Sequence, residues 1–157
     1  MFKKVTLALA AIYLSVFSLA AQAHDTIKFR HIEITNPWAR ASVTMASAAA
    51  FMHITSIGKD DVLLEARSNL GKKTEIHLSS MDANGVMSMV KQDAVPLPAG
   101  QELVLKPGSY HVMFMKLNKK LHEGDTISIE LVFEKAGIVS IRMPVLKAGS
   151  KGMDHSH

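Results

Sequence analysis

An all-β fold, a sandwich or Greek-key barrel, is predicted by three features of the sequence. Short segments alternate apolar and polar residues, turn residues separate them at regular spacing, and no stretch holds a convincing helical period. Phe29 to Ile34 reads as a first strand, ended by Asn36-Pro37. Ala49 to Thr55 and Val62 to Ala66 follow. Thr74 to Ser79 and Val86 to Gln92 flank Asn84-Gly85, a strong hairpin signal. Pro96 to Gly100 and Pro107-Gly108 bracket a strand around Glu102 to Leu105. Tyr110 to Lys116, Asp125 to Phe133 and Ile138 to Val145 complete the set, with one helical turn expected near Lys116 to His122.

The chain opens Met1-Phe2-Lys3-Lys4, runs without charge from Val5 to Ala20 and then reads Ala21-Gln22-Ala23. A basic start, an apolar run and an Ala-x-Ala site predict a cleaved signal peptide over residues 1–23. The run is short for a membrane span, so no stable insertion is expected. Residues 24–147 have room for one domain and one core. Residues 148–157 are Gly/Ser-rich and read as a flexible tail. The formal charge is +4, and losing Lys3 and Lys4 leaves about +2, which gives nucleic-acid binding little support. Cysteine is absent, so an exported domain would be held by packing alone and its chemistry could not use a thiolate. Met is plentiful at 10, and His adds 8.

In the segment "SYHVMFMKL", Tyr110, Val112 and Phe114 alternate with His111, Met113 and Met115. A strand therefore puts an imidazole and two thioethers on one face. The hairpin upstream supplies His77 before its turn and Met87 and Met89 after it. A site built from His77, Met89, His111 and Met113 would offer two imidazoles, two thioethers and no anion. Uncharged soft donors favour cuprous copper, whereas calcium and magnesium want oxygen and zinc takes Cys, His and carboxylates. Against this stands the plain reading, in which methionines fill the core and a strand histidine is structural. Met45, Met52, Met115 and Met143 are read as packing, Met81 and Met87 as reserve ligands, and His31, His53 and His122 as outside any metal site. A two-residue turn at Asn84-Gly85 would set Met89 opposite Ser80, on the wrong face from His77. Convergence of the two needs a longer loop or a bulge.

The spacing His77-x11-Met89-x21-His111-x-Met113 resembles the pattern of the periplasmic copper chaperone PCu(A)C family, with Leu78 at a position often held by Met. "NPWAR", "GVMSM", "PLPAGQELVLKPGSYHVMFMKL" and "EGDTISIELVFEKAG" are similar too, so the resemblance covers nearly the whole mature chain. It implies a cupredoxin-like Greek-key β-sandwich that binds Cu(I) through His77, Met89, His111 and Met113. It also implies delivery of copper in the periplasm to cytochrome c oxidase assembly, with an oxidase subunit or a thioredoxin-like copper chaperone as acceptor. Trp38 and Arg40 fit the pattern; Trp38 is read as core packing and Arg40 is left unassigned. Some members carry a Met/His-rich C-terminal extension that takes cupric ion. Here Met153, His155 and His157, together with the mature N-terminal His24, form a candidate weak Cu(II) site.

No nucleophile–base pair, phosphate loop or carboxylate dyad has a recognisable signature, so an enzyme is not expected. A copper-dependent redox protein using His24 and a general periplasmic copper-tolerance or storage protein are the competing readings, with a metal-free binding module behind them. A monomer is expected. Lys116, Lys119 and Lys120 read as a solvated basic turn that could steer an acidic partner.

Overall fold

The computed structural model describes residues 26–152. The expected signal peptide, His24, Met153, His155 and His157 lie outside the described residues. Eleven strands are described and no helix: β1 (Thr26–Phe29), β2 (Ile32–Arg40), β3 (Ser47–Ser56), β4 (Asp61–Arg67), β5 (Gly71–Met81), β6 (Met87–Gln92), β7 (Val95–Leu97), β8 (Glu102–Leu105), β9 (Tyr110–Leu117), β10 (Thr126–Phe133) and β11 (Gly137–Leu146). Hydrogen bonding links them in the order β6-β5-β9-β8-β3-β2-β11-β10-β4-β7, with β1 on β2 and a further β9–β3 pairing. The parallel pair of β2 and β11, Ala39 beside Val145, joins the two halves of the cupredoxin-like sandwich. No described helix is long and apolar enough to cross a membrane.

Period-2 alternation builds the core. In β10, Ile127, Ile129, Leu131 and Phe133 are buried while Thr126, Ser128 and Glu130 face water. They meet Ile34, Met52, Ile54, Ile76, Val112 and Phe114 of the other half in one cluster. Each such side chain contributes about 1.5–3 kcal/mol on burial. Met52 and Met143 are core residues as expected, but Met45 is 41% exposed and packs little.

Several sequence expectations need correction. The first strand does not end at Asn36-Pro37: β2 runs on to Arg40. Thr35 faces His53 and Trp38 faces Phe51, so β2 holds one extra residue there, a β-bulge with Asn36 at φ 51°. The bulge absorbs the missing N–H of Pro37 and reverses the alternation, so that after Ile32 and Ile34 it is Ala39, not Trp38, that joins the core. Trp38 is buried, yet on the opposite face. No helical turn forms near 116–122, and β1 and β7 were not expected. Of the expected flexible tail, residues 148–152 are described: Ser150 is buried, and its carbonyl accepts a 2.8 Å hydrogen bond from Arg40 Nη2.

Asp61, at the start of β4, ties together three parts of the chain. Its buried carboxylate meets His31 Nε2 at 2.6 Å and accepts from the backbone N–H groups of Val62, Lys135 and Ala136. Burial pushes this carboxyl up, but those hydrogen bonds outweigh it and hold it below the ordinary range. His31 is thus structural; His53 pairs with Glu102 at 3.0 Å and His122 sits 3.9 Å from Asp125.

Candidate metal centre

The pairing of β5 with β9 sets His77 directly opposite His111. Val112, Phe114 and Ile76 point into the core, so both histidines lie on the outer face of the sheet. Gly71 permits this close pairing at the start of β5, because a Cβ there would stand 2.5 Å from the Met115 carbonyl oxygen. The two imidazole centroids are 5.9 Å apart and inclined at 63°. One ion bonded at about 2 Å to a nitrogen of each ring spans such a gap.

The hydrogen bonds fix which nitrogens are free. Nδ1 of His111 lies 3.0 Å from the Ser109 carbonyl, which can only accept, so Nδ1 carries the proton and Nε2 is bare. Nε2 of His77 lies 2.9 Å from Glu75 Oε2, so in the neutral ring Nε2 carries the proton and the lone pair is on Nδ1. That Nδ1 is buried and has no hydrogen-bond partner. A buried lone pair without a donor is costly in an empty site and is satisfied by a bound cation. Burial pushes the His111 ring below the ordinary imidazole range; the Ser109 carbonyl opposes this, and the neighbouring His77 adds to it. The ring is thereby kept neutral, the form that binds metal. Among the described residues, no group of three or more His, Asp or Glu side chains is arranged to hold an ion.

Met113 stands opposite Glu75, one outer-face position along β9 from His111, and is half-buried. Met89 stands opposite Ser79. That register answers the hairpin question: the connection is the five-residue loop 82–86, closed by bonds between Asp82 and Val86, and it returns Met89 to the face of His77. Met89 and Met113 flank the histidine pair on opposite diagonals, however. Two strand spacings and four residues of rise separate their backbones, roughly 16 Å. Met89 is 56% exposed. The fold thus brings His77, His111 and Met113 together and leaves Met89 as the outlying donor, on a hairpin that must curl over the rings to complete a set of four. Met115 lies on the same outer face, half-buried.

Three contributors were not picked out from the sequence. Glu75 orients His77, and its place two residues earlier in the same strand was a usable signal. Ser109 acts through its carbonyl, which no side-chain pattern announces. Phe51 walls His111 on the far side, with centroids 6.4 Å apart, and Trp38 continues the row 4.5 Å beyond. The Arg40 guanidinium lies over both aromatic rings, 5.3 Å from Phe51 and 5.9 Å from Trp38.

Similar proteins share this architecture. The apo PCuAC domain of PmoF2 superposes with a TM-score of 0.67 at 25% identity, over 82% of this chain and 99% of that one. The copper-bound PCuAC domain from PmoF2 gives 0.65 at 27% identity, over 78% and 97%. A curated relative, "Putative lipoprotein Lxx21020" of Leifsonia xyli subsp. xyli (strain CTCB07), is 27% identical over 116 residues, 73% of this chain and 69% of its own. Residues 32–145 match the family described as "Putative lipoprotein LpqE-like". With that match running from β2 to the end of β11, the chain belongs to the LpqE-like family, and its fold is that of a PCuAC domain.

Proposed function

We propose that the protein is an exported copper carrier that binds Cu(I) between His77 and His111, with Met113 and Met89 completing the set. The observation that carries this reading is the pair of facing imidazoles, each fixed by an acceptor on one nitrogen and left bare on the other. The likeness to a copper-bound PCuAC domain supports copper as the cargo. Neutral nitrogen and thioether donors hold a monovalent soft ion without adding charge, and each can be replaced one at a time by donors of an acceptor protein. That is the chemistry of a carrier, with no bond of a substrate made or broken.

The periplasm is the proposed compartment, since a cysteine-free donor set is indifferent to disulfide-forming conditions. The proposed acceptor is the copper-centre assembly of cytochrome c oxidase, reached through an oxidase subunit or a thioredoxin-like chaperone. The double substitution His111→Ala/Met113→Ala tests the site. Stoichiometric Cu(I) binding, measured by competition with a chromophoric chelator, should be lost while the far-ultraviolet dichroism of the sandwich is kept. Undiminished binding by the folded double variant would overturn the site.

A further inference from the structure

The hairpin of β5 and β6 carries more sulfur than the histidine pair can use. Met81 faces Met87 across the last rung, and Met89 faces Ser79 two rungs earlier, the next pair on the same face of the sheet. All lie on the side of the sheet that bears His77, because their positions along β5 differ by multiples of two. Of the four side chains on these two rungs, three are thioethers. Met81, Met87 and Met89 are 67%, 55% and 56% exposed, so none gains much from burial where it stands. Directly opposed Cβ atoms on such a rung are about 4.5–5.5 Å apart, and the diagonal pair Met81–Met89 is about 7–8 Å apart between backbones. Long, unbranched side chains close those gaps readily. The rung is held shut by Asp82, whose Oδ1 accepts from Asn84 and Val86 N–H at 2.9 Å each.

We propose that Met81, Met87 and Met89 form a second, outer site for a soft monovalent cation, from which the ion passes to the histidine pair, Met89 serving both sites. The proposal rests on the soft-metal reading of this sheet face. It accounts for the exposure of Met89 and for its distance from Met113: in this outer site its neighbours are the other two hairpin thioethers. Transfer is exchange of lone-pair donors alone. A sulfur of the outer set leaves as an imidazole nitrogen arrives, the ion keeps its charge, and no electron or proton moves.

The test uses the full-length chain carrying 13C-methyl methionine, titrated with Ag(I), a redox-inert soft cation. The methyl signals of Met81, Met87 and Met89 should shift, and Met81→Leu/Met87→Leu should lose one equivalent of bound silver. Leucine at these exposed positions leaves the fold intact. In His77→Ala/His111→Ala the outer methyl shifts should persist; if that variant fails to fold, the loss of one equivalent from the leucine variant decides the matter. Shifts at Met113 and the histidine rings with Met81 and Met87 unmoved would overturn the outer site and leave the carrier reading intact. Shifts confined to Met81, Met87 and Met89 would uphold the outer site and overturn the histidine site. No shift anywhere would overturn both.

Discussion

The His77 ring is held by a carboxylate and the His111 ring by a carbonyl, and this difference makes Glu75 the more tractable of the two supports. Outer partners of ligating histidines are worth about 10–100-fold in metal affinity. Glu75→Ala should therefore weaken Cu(I) binding by about that factor, while Glu75→Gln, still able to accept the ring N–H, retains most of it; chelator competition on both variants checks this. Asp61 acts on stability. Asp61→Asn should cost about 2–4 kcal/mol near neutral pH, since it breaks a buried pair and weakens several acceptor contacts. The folded-state pKa of Asp61 lies below its unfolded value. Its contribution is accordingly complete above the unfolded value of about 3.9 and is lost as pH falls through the folded one. Urea midpoints should thus show the gap between wild type and variant narrowing from pH 7 to pH 3, and a constant gap would count against this account.

The hairpin shows how a one-residue shift of register decides a donor. Loop 82–86 pairs Ser79 with Met89; a two-residue turn at Asn84-Gly85 would have paired Ser80 with it and sent the sulfur to the core side. Deleting Ala83 and letting the ladder re-pair by one position should remove a sulfur scatterer from the X-ray absorption of copper-loaded protein, leaving the nitrogen shell unchanged. The strand bearing His111 and Met113 was legible from the sequence because alternation alone sets its faces. The hairpin register was not, because Asn-Gly is compatible with several loop lengths and only the Asp82 side-chain bonds select five residues. Asn36-Pro37 failed as a stop signal for a related reason. Proline ends a strand only where its absent N–H would be needed, and a bulge removes that need.

At the scale of the whole molecule, the sandwich was legible because its buried positions repeat every second residue over most strands. The short β7 and the β1–β2 turn were not, since three or four residues cannot display a period. The docking of Ser150 against Arg40 depends on a contact 110 residues apart in sequence, which local pattern cannot show. An ion bound only by the native state stabilises all of it together, by about 2.7 kcal/mol at a hundredfold excess over the dissociation constant. Calorimetry under reducing conditions should then find the midpoint raised by roughly 10 °C with Cu(I), and by less in the His111→Ala/Met113→Ala variant.

The facing rings stand on the side of the sheet away from the hydrocarbon core, yet His111 is only 4% exposed, with Phe51 beside it. Strands need not part for a proposed ion to come or go, since the core lies on the reverse side; what has to shift is the cover over the His111 ring.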